Sequence, residues 1–138
     1  MNNTLRILAI AIIFPVALLG QQKVSDCSKV KNGTFYFYPT HTHINFIIVR
    51  SDSIQREFSE NLGDTSYWKI KWQDDCLFSM KFIRKGGKMS KSDSIFFNSH
   101  TALSRIISVT KDYYTCMGGL DEIPATNTAV DTLWFKPR

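Results

Sequence analysis

Three sets of residues in the chain have the types and spacing that chemistry uses. His41 and His43 stand at i and i+2, so an extended backbone projects both imidazoles from one face. Two rings so placed can share Zn²⁺ or Cu²⁺, but a site needs a third or fourth donor, for which His100 or an aspartate is the candidate. Asp74-Asp75 and Glu57 are carboxylates of the kind that glycoside hydrolysis pairs, although a solvated turn and a strand-surface charge explain them more simply. Arg50, Gln55 and Glu57 form the third set. On neighbouring strands they make a polar cluster, in its simplest form a cross-strand salt bridge. Nucleophilic catalysis needs a Ser or Cys beside a base that a third group orients. The chain has no Gly-x-Ser-x-Gly elbow and no Cys in a protease context, so no catalytic residue and no cofactor are expected.

Lys88-Met89-Ser90-Lys91-Ser92 spells the KMSKS signature with which class I aminoacyl-tRNA synthetases steady ATP phosphates. The His-x-Gly-His partner and the doubly wound nucleotide domain are missing, so the letters read as chance in a loop rich in Lys and Ser. Lys81, Arg84 and Lys85 extend that loop into a basic hairpin with Tyr and Phe nearby. Basic sheets with exposed aromatics can bind single-stranded nucleic acid. A charged loop more often keeps a sheet edge soluble, and no nucleic-acid partner is expected.

The elements that must position these residues read as strands. Trp68, Ile70 and Trp72 share one face of an extended segment and Lys69 and Lys71 the other, which is the period of a half-buried strand. Gln73-Asp74-Asp75 suits a turn, because Asp side chains bond nearby backbone amides, and residues 76–82 return as the partner strand. Thr34 to Tyr38, Asn45 to Arg50, Ile54 to Phe58, Ser94 to Phe97, Ser104 to Val109, Tyr113 to Met117 and Val130 to Phe135 are further strands. A weak helical option covers Thr101 to Ile107, and residues 120–128 form a loop. Connections this short force antiparallel neighbours. The expected fold is all-β: an antiparallel meander forming a small barrel or strongly curved sheet, with a β-sandwich as the alternative.

The chain has 138 residues, a formal charge of +5 and 13% aromatic residues. Arg6 followed by the apolar run Ile7 to Leu19 reads as a secretion signal, with cleavage expected after Gly20. The run is short for a membrane span, and no second one follows, so no transmembrane segment is expected after cleavage. Cys27 lies seven positions past Gly20, which disfavours a lipid anchor. Residues 21–138 then form a single β domain, exported to the periplasm or beyond, and losing Arg6 lowers the charge from +5 to +4. That mild excess favours solubility without naming a partner. Three cysteines remain, and an oxidising compartment pairs two of them. Cys27 with Cys76 is favoured, since both sit at strand edges beside Asp, although the sequence permits all three pairings. Cys116, among Tyr113, Tyr114 and Met117, reads as a buried thiol.

Cys27, then Lys31-Asn32-Gly33-Thr34-Phe35, Arg50, Gln55-x-Glu57 and Trp72-Gln73-Asp74-Asp75-Cys76-Leu77-Phe78 give residues 27–82 a definite look. In these motifs the chain resembles a group of small exported bacterial proteins of unassigned function. Some of these carry the label "DNA topoisomerase IV", which nothing in the chain supports. The resemblance implies that Cys27 and Cys76 belong together, and it implies no activity. In general design the chain is similar to lipocalins. The expected function is to hold a small apolar or amphipathic ligand, with Phe35, Phe37, Phe46, Trp68 and Trp72 lining a cavity of a few hundred Å³. The alternatives are a structural or interaction protein of the cell envelope and an unrecognised hydrolase.

Overall fold

The computed structural model describes residues 26–51, 53–123 and 129–138. The expected secretion signal, Asp52, and Pro124 and Asn127 of the expected late loop lie outside the described residues.

Eight strands run up and down in chain order and close into one barrel. They are β1 (Gly33–Phe37), β2 (Phe46–Ser51), β3 (Ile54–Ser59), β4 (Asp64–Trp72), β5 (Leu77–Lys85), β6 (Ala102–Val109), β7 (Tyr113–Leu120) and β8 (Asp131–Trp134). Every neighbour is antiparallel, and β1 pairs with β8 through Tyr36–Trp134 and Phe37–Leu133 to complete the ring. Closure removes both sheet edges, which an open meander would leave as unpaired backbone. The barrel form of the sequence reading therefore holds, and the sandwich does not.

The two ends of the barrel differ. At one end lie the tight turns β2–β3, β4–β5 and β6–β7, together with a 3₁₀ turn over Cys27–Val30. Val30 is fully buried there and Cys27 nearly so. The Cys27–Cys76 disulfide ties this turn to the β4–β5 hairpin, and Cys116 is a free, buried thiol. Asp74 shapes the hairpin by accepting from the amides of Cys76 and Leu77, both at 2.7 Å. Phe35, Ile70, Phe78, Ile106 and Tyr114 complete a packed floor. At the other end are the connections of residues 38–45, 60–63 and 86–101 and the one from β7 to β8, most of them longer.

The connection from β5 to β6 corrects the sequence reading twice. Ser94 to Phe97 is not a strand but the middle of α1 (Lys91–Ser99). The Ser90 hydroxyl accepts from the Asp93 amide at 3.0 Å and caps the first turn. The Lys88–Ser92 letters thus run into a helix start rather than a phosphate loop. The helical option over Thr101 to Ile107 fails as well: these residues lie in β6, where Ser104 and Ile106 face inward and Arg105 and Ile107 outward. Period two wins there because both neighbours, β5 and β7, are already strands that need partners.

Candidate functional site

Alternation places every second residue of each strand inside the barrel. An eight-stranded ring is just wide enough for its own side chains or for one small ligand. Here the lower half is filled and the upper half is not. A cavity of about 420 Å³ opens at the end of the longer connections. Phe37, Phe46, Ile48, Met80 and Leu133 give it apolar walls. Gly118 and Gly119 on β7 add a stretch of wall with no side chain.

Its polar side is the set that sequence spacing singles out. Arg50 on β2 pairs in register with Gln55 on β3, so both side chains point inward side by side. Arg50 is 2% exposed. Its Nε donates to Gln55 Oε1 at 2.9 Å, Nη1 to the Val30 carbonyl at 2.5 Å, and Nη2 to the Tyr114 hydroxyl at 3.2 Å. The guanidinium also lies over the rings of Phe78 (4.6 Å) and Phe35 (5.1 Å). Gln55 Nε2 donates onward to Glu57 Oε1 at 2.6 Å. Ser66 donates to Glu57 Oε2 at 3.4 Å, and Trp68 Nε1 donates to Ser66 at 3.0 Å. The expected cross-strand salt bridge is thus a relay in which Gln55 separates the cation from the carboxyl. Among the described residues Arg50 makes no ion pair.

Burial sets the protonation of this pole. Loss of water around Glu57 pushes its carboxyl above the usual range, against the hydrogen bonds from Gln55, Trp68 and Ser66. Burial likewise pushes the Tyr114 phenol up to about 12 and the Cys116 thiol up to about 11. The Tyr114 hydroxyl and the Cys116 thiol are therefore both protonated at neutral pH. Asp131, opposite Cys116 in the β7–β8 register, is raised by burial too, though its side remains open to solvent. No histidine lines the cavity.

The expected aromatic lining divides. Phe37 and Phe46 line the cavity and lie against each other with ring centroids 6.2 Å apart. Phe35, 1% exposed, belongs to the floor, edge-on to Tyr114. Trp72 is lower still, packed on Phe78 at 4.7 Å with Lys31 over its other ring surface. Trp68 faces a second, smaller space of about 330 Å³ between the β4–β5 wall and α1, where Phe82 and Phe97 meet it edge to face. Phe46 and Glu57 border both spaces. Ser59, whose hydroxyl finds no partner among the described residues, lies on the second wall. Met80, Leu103, Ser104, Gly118 and Gly119 were missed by sequence reading. For Met80, Ser104 and Gly118 the available signal was the period-two face that they share with recognised neighbours; Leu103 and Gly119 stand on the alternate face of β6 and β7, where alternation gives no signal.

The remaining candidates are drawn elsewhere. His41 and His43 are exposed in the β1–β2 connection. His100, the third donor offered for them, instead holds Asp121, Nδ1 to Oδ2 at 2.6 Å. Among the described residues no group of three His, Cys, Asp or Glu side chains could hold a metal ion. Asp74 and Asp75 are exposed at the closed end, away from Glu57. The basic hairpin is largely engaged: Lys81 donates to the Asn98 and His100 carbonyls, Lys85 pairs with Asp64 at 2.8 Å, and Arg84 stacks on Tyr67. No helix among the described residues is long and apolar enough to cross a membrane. Protein-family models, curated proteins and solved structures offer no match to this chain, so the barrel and its cavity are the ground on which function stands.

Proposed function

We propose that the protein is an exported, non-enzymatic binding module that holds one small apolar-bodied ligand inside its barrel. The observation that carries this reading is the open, apolar-walled cavity of about 420 Å³ above a packed floor. A solid core would have filled that volume, because unfilled apolar space forfeits contact energy. Pockets of ligand size fall at about 300–1,000 Å³ and combine apolar walls with a few placed polar groups. The relay Arg50–Gln55–Glu57 is such a group. Export is supported by the Arg6 to Gly20 leader and by the disulfide, since such bonds persist in oxidising compartments. The similarity in design to lipocalins and the resemblance to small exported bacterial proteins fit this reading.

Native mass spectrometry of the protein purified from its own cells tests the proposal. The expected spectrum carries a mass excess of about 200 daltons, the size that about 420 Å³ holds, and it disappears on denaturation. The bare polypeptide mass, with no excess in any preparation, would count against it.

A second reading rests on a different observation. Leu62, Ile83, Ile95, Phe96 and Leu120 are all exposed, and all lie toward the open end. Exposed apolar surface of that kind suits an interaction protein of the cell envelope. Truncating Ile95 and Phe96 to Ala would then abolish attachment to membrane fractions while leaving the cavity intact.

A further inference from the structure

Arg50 presents a physical problem that the barrel alone does not solve. It is a cation 2% exposed, and its partners among the described residues are all uncharged: an amide oxygen, a backbone carbonyl and a phenol. Burying a charge is costly unless a counter-charge and hydrogen bonds offset it. The neighbouring carboxyl makes no direct contact with the guanidinium. Gln55 lies between Arg50 and Glu57, bonded to both, and burial shifts Glu57 toward the neutral acid. Asp131 stands on the opposite wall, on the exposed start of β8. The cavity therefore has apolar walls and, beside its floor, a guanidinium with no ion pair among the described residues.

Resting on the ligand-binding reading, we infer that the ligand is a monocarboxylic amphiphile whose carboxylate lies at Arg50 and whose apolar tail runs toward the mouth. A guanidinium offers five N–H donors in a planar fork, and here Nε, Nη1 and Nη2 each make one bond within the protein. Tyr114 is fully buried and accepts from Arg50, so the guanidinium is the charged group left at the edge of the cavity. At roughly 30 Å³ per heavy atom, the share of one water in the liquid, about 420 Å³ accommodates about fourteen heavy atoms, enough for a chain of ten carbons and its head group. Decanoate matches that size. An amine head group would meet the positive charge of Arg50 instead, and an alcohol would leave it uncompensated.

Calorimetric titration of the full chain with decanoate, decanol and decylamine at neutral pH tests the assignment. Decanoate is expected to bind at least about tenfold tighter than decanol, as charge-assisted hydrogen bonds warrant, with decylamine weakest. Arg50→Gln should erase the preference for acid over alcohol while keeping decanol affinity, and Arg50→Lys should keep part of it. Arg50 also holds the Val30 carbonyl, so the variants risk the floor; the acid-to-alcohol ratio in the unaltered protein decides the matter without them. Equal binding of decanoate and decanol would overturn the head-group assignment and leave the cavity reading standing. Binding of none of the three would overturn both.

Discussion

Removing the disulfide tests whether the closed end is held as described. The perturbation is Cys27→Ala together with Cys76→Ala, which avoids leaving one thiol to pair with Cys116 in the unfolded chain. The two cysteines are 49 residues apart in sequence. A cross-link over a loop of that length withholds about 14 cal/mol/K of chain entropy from the unfolded state, or about 4 kcal/mol at room temperature. The native side changes little. Val30 stays buried under the floor, the Arg50 bond to its carbonyl remains, and the eight-strand ladder is untouched. The cost should therefore appear as global stability rather than as a different fold. Urea unfolding followed by tryptophan fluorescence reads it. With a slope of about 2 kcal/mol per molar, the midpoint should fall by about 2 M at unchanged slope. Since small domains are stable by only about 5–15 kcal/mol, the variant should remain folded but marginal. A fall below about 0.5 M would refute the reasoning, because the link would then constrain little that the 3₁₀ turn and its floor contacts do not already fix.

Three further expectations follow from the interior. Burial raises Glu57 above the ordinary glutamate range, so the folded state keeps a proton that the unfolded chain has released. Its contribution favours folding below about pH 4.3 and is lost as pH rises through the raised value, so Glu57→Gln should gain on the parent with rising pH. Urea midpoints measured across that range check this, and parallel curves would contradict it. The Cys116 thiol, pushed up to about 11 by burial, should be inert to an aromatic disulfide reagent near pH 8 until urea opens the barrel; prompt reaction in the native state would place it at the surface. A Cβ at Gly119 would run into the Glu122 carbonyl, whereas one at Gly118 meets only the Leu103 oxygen at 3.6 Å. Gly119→Ala should therefore cost about 1–3 kcal/mol in urea unfolding and Gly118→Ala much less.

The parts of this fold that were legible in the sequence are those where alternation is strong. Trp68, Ile70 and Trp72 against Lys69 and Lys71 mark β4, and the Asp74 turn fixes its partner. From there, short connections give the antiparallel meander. The α1 segment was misread because Ile95-Phe96-Phe97 is rich in strand formers, while the decisive signal was the Ser90-Lys91-Ser92-Asp93 cap just before it. Arg50, Gln55 and Glu57 were recognisable as a cluster because they flank one tight turn. Their separation by an intervening amide was not, since it depends on inward rotamers. The cavity itself was least legible. Phe37 at its wall and Phe35 in its floor occupy the same face of the same strand, and no composition rule tells a filled level of a barrel from an empty one.

The central claim is that the space above the floor receives an apolar body, and methyl resonances can locate that event. The measurement is a titration of ¹³C-methyl-labelled protein with decanol, which makes no demand on the head group. We expect saturable shifts at Ile48, Met80 and Leu133, which line the cavity, and none at the outward-facing Ile54 and Ile107. Shifts confined to Ile83 and Ile95 on the outer surface, or no saturable shift at all, would contradict it.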